Sequence, residues 1–297
     1  MSAEVRQIAV ISGKGGTGKT SLVASLAGLA RPLVLADCDV DASNLALLLG
    51  GLDGAHEPLY DGLAIAVDLR YCRASGRCAE VCRFEAVALG PDGRALIDPF
   101  FCVGCGACTL VCPERALELH ANQVGVWTVR PTPQGPLIHA VLGIAQENTL
   151  GLVRQVRQRA RAVAAAQGLA LILLDGPPGI DAPVQATVEG VDLLLVVAEA
   201  TPSGVHDLIR VLELAEQQTL PAAVVINKAD LDTAAAGAIE ALAERRGAAV
   251  LARLPFDADV PRALARGEPP LQIPAMVPRL QQLWTKIKAL LDARKQP

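Results

Sequence analysis

The sequence predicts an α/β protein in which a doubly wound, mainly parallel sheet carries a small inserted α+β domain. Two observations lead to this fold class. Short apolar runs of the strand type alternate with helical stretches over most of the chain, as in sheets that are covered by helices on both faces. Seven of the eight cysteines lie between Cys72 and Cys112, where this alternation is interrupted. With 297 residues, of which 52% are hydrophobic, the chain is long enough for two domains and a buried core.

The strands and helices of the larger domain are predicted from the spacing of apolar residues. The predicted strands are Gln7–Ser12, Leu33–Asp37, Ala170–Asp175, Asp192–Ala198, Ala222–Asn227 and Ala248–Leu254. The predicted helices are Gly18–Ala30, Leu150–Gln167, Gly204–Gln218, Ala234–Arg246 and a last one from about Pro278 to Arg294. An apolar stripe on the last helix predicts that it covers the sheet, with a position on a membrane surface as the alternative.

The boundaries of the insert follow from a change in composition. Residues 1–60 and 124–297 are predicted to form the larger domain, and residues 61–123 the insert. Within the insert, cysteines repeat at a constant offset of 30 residues. The pairs are Cys72 and Cys102, Cys78 and Cys108, and Cys82 and Cys112. A fixed step of this kind indicates a duplicated unit.

Composition also restricts where the protein works and what it binds. No apolar run approaches the roughly 18 residues of a membrane span, and the first residues lack the pattern of a signal peptide. The formal net charge of −4 gives no general reason to expect a nucleic-acid partner. Cysteines confined to one patch favour a metal or cluster site in a reducing compartment over a disulfide framework. We therefore expect a cytoplasmic protein with no membrane span and no nucleic-acid partner.

A glycine-rich loop predicts a phosphate site. The segment from Gly13 to Thr20 reads GKGGTGKT, follows the first predicted strand and opens the first predicted helix. Its glycines allow backbone N–H groups to approach phosphate oxygens at a helix N-terminus. Lys19 is expected to reach the β- and γ-phosphates, and the Thr20 hydroxyl to bind Mg²⁺. The predicted nucleotide contacts in this segment are Gly13, Gly15, Gly16, Thr17, Gly18, Lys19, Thr20 and Ser21.

A second lysine early in this loop, Lys14, is typical of the deviant Walker A ATPases. The chain resembles this family, which includes the nitrogenase iron protein, MinD, ParA and the Mrp-type carriers. Over essentially its whole length it resembles those MinD-superfamily P-loop ATPases that carry an inserted two-cluster ferredoxin domain. The resemblance implies a MinD-like P-loop NTPase fold and Mg²⁺-dependent ATP hydrolysis. It also implies a dimer, with itself or with a paralogue, in which Lys14 reaches the partner's nucleotide.

Two strand ends carry this resemblance further. The segment that contains Asp37 and Asp39 resembles the family's first switch, and Asp39 matches the residue that positions the attacking water and supports Mg²⁺. The segment Asp175-Gly-Pro-Pro-Gly179 resembles the Walker B strand and second switch. Asp175 would then hold Mg²⁺ through water, and the Gly179 N–H would lie near the γ-phosphate. Together with Lys14 and Lys19, Asp39 and Asp175 form the predicted catalytic set.

Two later segments resemble the part of the site that holds the base. Asn227 resembles the residue that contacts adenine, and Pro255 belongs to a second loop on the base side. The run from Asn227 to Asp230 also resembles a guanine-recognition motif, but ATP is preferred because the other motifs are of the deviant ATPase type. Cys38, which stands between two aspartates, is predicted to be a buried thiol at a strand end.

The second half of the insert carries a cluster motif. Cys102, Cys105, Cys108 and Cys112 are spaced as in the ferredoxin run C-x2-C-x2-C-x3-C-P, in which the fourth cysteine ligates the other cluster. Zinc is the alternative metal for these cysteines, since Cys₄ zinc sites also use closely spaced pairs.

The first half of the insert departs from this motif at one position. It has Ser75 where the second half has Cys105. If the fourth cysteine of each half ligates the cluster of the other half, one site is a complete [4Fe-4S] site of Cys102, Cys105, Cys108 and Cys82. The other site would have three thiolates, Cys72, Cys78 and Cys112, with Ser75 at the fourth corner. We expect it to hold a [3Fe-4S] cluster, or a [4Fe-4S] cluster with serine or water on one iron. A vestigial site without a cluster is the alternative.

These patterns together indicate an ATP-binding and ATP-hydrolysing iron–sulfur protein. Its nucleotide state would be coupled to electron transfer through ferredoxin-type clusters, with a low-potential redox or iron–sulfur protein as partner. One alternative is an ATPase that assembles or carries clusters, although the cysteine pair of the Mrp-type carriers is absent outside the insert. Another is a spatial regulator of the MinD or ParA type, which would need a membrane or DNA surface.

Overall fold

The computed structural model describes residues 5–51, 54–144 and 146–293. The chain divides into two compact units. The larger, here called the sheet unit, comprises residues 1–57, 127–142 and 147–297, and the smaller, here called the cysteine unit, comprises residues 58–126 and 143–146. The main segment of the smaller unit runs from residue 58 to residue 126, so each of its ends lies three residues outside the boundary expected from composition. The short segment 143–146 also belongs to the smaller unit.

The larger sheet has nine strands in the order β11-β10-β9-β1-β8-β2-β7-β6-β3, and β4 pairs with β5 in a separate antiparallel ribbon. The strands are β1 Arg6–Ser12, β2 Val34–Asp37, β3 His56–Val67, β4 Val87–Leu89, β5 Ala95–Ile97, β6 Leu117–Thr132, β7 Gly135–Leu142, β8 Leu171–Pro178, β9 Leu193–Glu199, β10 Ala222–Asn227 and β11 Ala249–Arg253. Pairing is parallel between β1 and both β8 and β9, between β10 and both β9 and β11, and between β2 and both β7 and β8. The predicted α/β class with a mainly parallel sheet is therefore confirmed.

The helices are α1 Lys19–Ala30, α2 Leu45–Leu49, α3 Arg77–Val81, α4 Ala107–Val111, α5 Leu150–Gln167, α6 Ala182–Val188, α7 Pro202–Gln217, α8 Thr233–Arg245, α9 Asp259–Ala265 and α10 Val277–Ala293. Among them, α1, α5, α6, α7, α8 and α10 pack on the large sheet. The apolar stripe of α10 buries Leu280, Leu283, Ile287 and Leu291 in the core that includes β1 and α1. The expectation that the last helix covers the sheet is confirmed. In the described ranges, no helix has the length and apolar character needed to span a membrane.

Three strands of the large sheet had no counterpart among the predicted ones: β3, β6 and β7. Strand β3 contains Pro58 and Gly62 and is exposed at most of its positions, so it lacks the continuous apolar run by which the inner strands are recognised. Its place at the end of the sheet explains this composition, because an edge strand has a neighbour on one side only.

The cysteine unit is built from two halves that repeat in backbone conformation. Its two short helices, α3 and α4, are preceded by Gly76 and Gly106, whose φ angles are +73° and +75°. The two halves also exchange one hydrogen bond each way. The Asp68 N–H donates to the Ala116 carbonyl and the Asp98 N–H donates to the Ala86 carbonyl, both at 2.8 Å. The two donors are 30 residues apart, and so are the two acceptors, which is the same offset as that of the cysteines.

Candidate nucleotide and cluster sites

The carboxyl ends of three neighbouring strands meet at one cavity of the sheet unit. Strand β8 lies between β1 and β2, so the loop after β1, the end of β2 and the end of β8 come together, where parallel α/β sheets bind their ligands. The cavity has a volume of about 640 Å³. Its lining includes Gly15, Gly16, Thr17, Gly18, Lys19, Thr20, Ser21 and Asp39 from the predicted set.

Lys19 is the centre of charge in this cavity. Its ammonium Nζ lies 2.5 Å from Asp175 Oδ1 and 3.9 Å from Asp39 Oδ2, with only 7% of the side chain exposed. Burial is the largest single influence on the pKa of Lys19 and would lower it, but the combined effect of Asp175, Asp37 and Asp39 is greater and the pKa is raised. The amine therefore stays protonated at neutral pH. Three of the four residues of the predicted catalytic set are in mutual contact through this one cation.

Two aspartates at the end of β2 have different surroundings. Asp37 is fully buried, and its carboxylate accepts hydrogen bonds from Ser43 Oγ at 2.9 Å and from the N–H groups of Asp39 and Leu45 at 3.2 Å. Burial first, and then the negative charge of Asp175, raise the pKa of Asp37 to about 8. Burial also raises the pKa of Asp39, although Lys19 opposes this. Asp37 thus fixes the chain that leads into α2, while Asp39 faces the cavity.

The glycine loop approaches other elements too closely for side chains at two positions. At Gly13 a Cβ would lie 2.3 Å from Asp207 Cβ, and at Gly18 it would lie 2.5 Å from Asn227 Nδ2. Gly18 also has a φ of +91°, a conformation that other residues adopt only with strain. Glycine at these two positions therefore allows the loop to pack closely against Asp207 and Asn227.

Lys14 lies beside this loop and is held inside its own chain. Its ammonium forms an ion pair with Glu199 Oε2 at 2.8 Å and donates to Ser203 Oγ at 2.9 Å and to Thr201 Oγ1 at 3.3 Å. Lys228 pairs with the other oxygen of Glu199 at 2.6 Å. Sequence reasoning missed Glu199, Ser203 and Lys228 as members of this group, because they lie far along the chain from the glycine loop and no motif connects them with it.

A second cavity lies on the other side of the glycine loop. It has a volume of about 240 Å³ and shares Gly16, Gly18 and Ser21 with the first cavity. Asn227 and Pro255 line it, as does the half-exposed ring of Phe256. Asn227 Nδ2 donates to the Thr17 carbonyl at 2.7 Å, so this side chain also braces the loop. An apolar slot next to a phosphate loop has the composition expected of a site for a planar base.

Gly179 was a predicted site residue and Asn148 was not, but of these two only Asn148 lines the first cavity. The Gly179 N–H, expected near the γ-phosphate, donates to the Ser12 carbonyl at 2.8 Å. Asn148 was not among the predicted site residues, although it lines the cavity and its Nδ2 donates to the Cys38 carbonyl at 3.0 Å. Cys38 itself is fully buried at the strand end, as predicted.

Buried polar atoms without partners test whether a nucleotide and Mg²⁺ fit this cavity. In the part of the chain that the structure describes, Thr17 Oγ1, Asn148 Oδ1 and Asp175 Oδ2 are buried and make no hydrogen bond. Such atoms are costly unless a ligand satisfies them. A carboxylate oxygen beside the Thr20 hydroxyl is a suitable donor set for hydrated Mg²⁺. The residues present therefore fit a nucleotide with its metal ion.

Four of the seven cysteines of the smaller unit share one small core. Cys78 and Cys108 are buried there together with Ile65, Ala95 and Leu117, and Cys102 and Cys112 pack against it. Burial is the first cause of the raised pKa of Cys78, and negative charge on Cys112 and Cys72 adds to it. Burial is also the first cause of the raised pKa of Cys108, and the charges of Cys102, Cys105 and Cys78 add to it. The charged neighbours of Cys78 are those of its predicted cluster, whereas Cys108 also has Cys78, from the other predicted cluster, as a neighbour.

Other details of the donor set also suit an iron–sulfur cluster. The Ala116 N–H donates to Cys112 Sγ at 3.3 Å, the type of hydrogen bond that tunes cluster thiolates. All eight cysteines carry free thiols. Ser75 and Cys105 occupy equivalent positions in the two halves, and both are exposed. In residues 5–51, 54–144 and 146–293, no group of three or more His, Cys, Asp or Glu side chains is arranged around a single metal ion.

Comparisons with known proteins agree with this architecture. The model of a family described as the CobQ/CobB/MinD/ParA nucleotide-binding domain matches residues 8–271. An uncharacterised protein of Methanocaldococcus jannaschii is 32% identical over 265 residues, which are 88% of each chain. A protein named ferredoxin 7Fe, from Hydrogenibacillus schlegelii, is 45% identical over 40 residues, 14% of this chain and 50% of that one.

Among solved structures, the septum site-determining protein MinD of Pyrococcus horikoshii, complexed with Mg-ADP, has a similar fold. The TM-score is 0.57 at 16% sequence identity, and the alignment covers 96% of this chain and 97% of that chain. At this identity the likeness concerns the fold alone.

Proposed function

The chain belongs to the CobQ/CobB/MinD/ParA nucleotide-binding family, and we propose that it is a Mg²⁺-dependent ATPase whose nucleotide state controls electron transfer through iron–sulfur clusters. The observation that carries this proposal is the presence, in one chain, of the phosphate cavity around Lys19 and of seven free cysteine thiols in a separate compact unit. A spatial regulator would have no use for the second feature.

Hydrolysis is assigned to the residues that meet in the first cavity. Lys19 and the N–H groups of the glycine loop would bind the β- and γ-phosphates, and Thr20 and Asp175 would hold Mg²⁺. Asp39 would orient the attacking water, since its carboxylate faces the cavity. Bound Mg²⁺ supplies charge stabilisation for phosphoryl transfer. Lys19 would have to leave Asp175, to which it is bound at 2.5 Å, in order to reach phosphate.

Electron transfer is assigned to the cysteine unit. Cys102, Cys105, Cys108 and Cys82 would hold a [4Fe-4S] cluster, and Cys72, Cys78 and Cys112 would hold the second cluster with Ser75 at its open corner. Such clusters supply one-electron chemistry at potentials that hydrogen bonds and solvent exposure adjust. The partial likeness to a protein named ferredoxin 7Fe supports a [3Fe-4S] cluster in the second site, because one cluster of each type contains seven irons in all.

Coupling between the two activities is supported by chain connectivity. The cysteine unit begins at residue 58, shortly after Asp39, and its last piece ends at residue 146, two residues before Asn148. Both residues line the phosphate cavity. A change of nucleotide that moves these two stretches would therefore act on two of the four points at which the chain passes between the units.

A cluster-carrier function is the second candidate, and one observation favours it. Ser75 is exposed, and a serine oxygen is a harder and weaker ligand for iron than a thiolate. A cluster that is held by three thiolates and has its fourth corner exposed would be easier to transfer than a cluster held by four thiolates.

The experiment that separates these functions uses anaerobically purified protein. Iron and sulfide analysis with EPR spectroscopy counts the clusters, and potentiometry then compares their reduction potentials with Mg-ADP and with a non-hydrolysable ATP analogue. We expect two clusters and a nucleotide-dependent potential. Equal potentials in both states would argue against coupling. Transfer of a cluster to an apo-ferredoxin that depends on ATP would favour the carrier instead.

A further inference from the structure

The two halves of the cysteine unit differ in surface charge although their backbones repeat. Residues 70–83 contain four arginines and one glutamate, whereas the equivalent residues 100–113 contain no charged residue. The chain as a whole has a formal net charge of −4, so this positive segment has the opposite sign to the rest of the protein. The difference is therefore local and does not follow from the overall composition.

Three of these arginines lie around the three-cysteine site, and we call them the arginine rim: Arg70, Arg73 and Arg77. Arg73 follows Cys72 directly and Arg77 precedes Cys78 directly. All three side chains are exposed. Arg70 pairs with Asp68 at 2.7 Å, while Arg73 and Arg77 form no ion pair within the described residues. Two positive charges therefore lie next to predicted ligands in the sequence without an ion-pair partner among the described residues.

The equivalent positions in the other half show that the fold does not need these charges. At the 30-residue offset, Arg70 corresponds to Phe100, Arg73 to Val103 and Arg77 to Ala107. The hydrogen bonds that define the repeat are present in both halves, so apolar residues support the same backbone. A structural role shared by both halves thus does not explain the arginines.

We propose that the arginine rim is the docking surface for an acidic redox protein, which exchanges electrons with the cluster of the three-cysteine site. This inference rests on the proposed function and adds the class of partner and its point of contact. In the exchange, one electron leaves the reduced cluster and enters the partner's redox group. When that group is an oxidised flavin, it takes up one proton from solvent and becomes the neutral semiquinone.

Unpaired surface charges are suited to this task. Complementary charge raises the rate of encounter by factors of about 10 to 1,000 at low ionic strength, and salt screens the effect. Weak encounters of this kind are typical of electron-transfer proteins, whose interfaces are small. Guanidinium groups that flank two ligands would bring an acidic partner close to the exposed Ser75 corner.

The test compares two double variants that change the total charge equally. Arg73→Gln with Arg77→Gln removes the unpaired part of the rim. Arg210→Gln with Arg245→Gln removes two exposed arginines from α7 and α8 of the sheet unit and serves as the control. Full-length protein, reduced with dithionite, is mixed in a stopped-flow instrument with an acidic flavodoxin, with basic cytochrome c and with uncharged benzoquinone. Binding to immobilised flavodoxin is measured in parallel, because it does not require a reducible cluster.

We expect the rim variant to reduce flavodoxin about five- to tenfold more slowly at low ionic strength and to bind it more weakly, with the difference lost in high salt. Its reaction with benzoquinone should be unchanged, and its reaction with cytochrome c unchanged or faster. The control variant should behave as the wild type does with all three acceptors.

Two results would overturn the inference. One is an equal loss in the rim and control variants, or no salt dependence with flavodoxin. The other is binding of the protein to vesicles that contain phosphatidylserine, lost in the rim variant, while the rim variant reduces and binds flavodoxin as the wild type does. Failure of the proposed function would be seen separately, since the wild-type protein would then show no dithionite-reducible EPR signal and would not reduce benzoquinone.

Discussion

At the scale of single residues, the two lysines of the glycine loop differ in burial and therefore in what they stabilise. Lys19 is buried against Asp175, with Asp37 and Asp39 close by. Lys14 is 32% exposed, and its ion pair with Glu199 is partly open to solvent. Removal of a buried partner leaves an uncompensated charge, whereas a surface ion pair contributes little.

This difference predicts unequal effects on stability. Lys19→Ala should lower the free energy of unfolding by about 3–5 kcal/mol and abolish ATP binding, because the buried Asp175 loses its ion-pair partner and Asp39 loses a nearby cation. Lys14→Ala should cost less than about 1 kcal/mol. Urea unfolding followed by circular dichroism measures both. Similar losses in the two variants would contradict the assignment of Lys19 as the central cation of the cavity.

Cys38 provides a test of burial by chemical reactivity. Burial raises the pKa of this thiol to about 12, so at pH 8 only about one molecule in ten thousand carries the thiolate that reacts with iodoacetamide. In protein stripped of iron, Cys38 should resist alkylation while Cys105, which is exposed, is labelled. Labelling of Cys38 should increase only as the pH approaches its pKa.

Peptide mass spectrometry measures the extent of labelling at each cysteine. The same reaction in urea is the control, since unfolding returns the pKa of Cys38 to its ordinary range. Equal labelling of Cys38 and Cys105 in the folded protein would show that the end of β2 is open to solvent.

Ser75 is the residue on which the second cluster depends. Ser75→Cys restores the fourth thiolate of the ferredoxin spacing and should add about one iron per chain, converting a three-iron cluster into a four-iron cluster. The EPR signal of an oxidised [3Fe-4S] cluster should disappear from the variant. Ser75→Ala is the matched control and should leave the iron content as it is. No gain of iron in Ser75→Cys would indicate that the site already holds four irons or holds no cluster.

At the scale of elements, the prediction from sequence was good where a functional residue stands at the end of a recognisable strand. The glycine loop, Asp39 and Asp175 come from distant parts of the chain, but each lies near the carboxyl end of a strand with an apolar run, so their meeting at one edge of a parallel sheet could be foreseen. Glu199 could not be foreseen, because its two lysine partners come from distant loops. Strand β3 was missed for another reason, since its exposed edge position allows a polar sequence with Pro58 and Gly62.

Helix α10 allows the contribution of one element to be measured. Leu283 is fully buried in the core of the sheet unit. Leu283→Ala should lower the free energy of unfolding by about 2–5 kcal/mol, because it removes buried methyl groups and leaves a cavity. Lys288→Ala, at an exposed position of the same helix, should change it by less than about 0.5 kcal/mol. A small effect of Leu283→Ala in urea unfolding would mean that the helix is not fixed on the sheet.

At the scale of the whole molecule, two compact units with separate cores are combined in one chain. Each unit has candidate ligands of its own: charged groups for phosphate in one, and thiols for iron in the other. The proposed function therefore depends on changes that pass along the chain connections near Asp39 and Asn148. A dimer that forms only with ATP would provide the large conformational change that such coupling requires.

The position of Lys14 makes the dimer testable. In the single chain its ammonium is occupied by Glu199, Thr201 and Ser203, so it can reach a partner's nucleotide only by leaving them. A non-hydrolysable ATP analogue should shift wild-type protein from monomer to dimer in light scattering, and ADP should not. Lys14→Ala should bind the analogue and remain monomeric, because the bridging charge is lost while Lys19 is intact. Dimerisation of Lys14→Ala with wild-type affinity would show that this lysine does not bridge the two chains, and its contacts with Glu199 would then be structural.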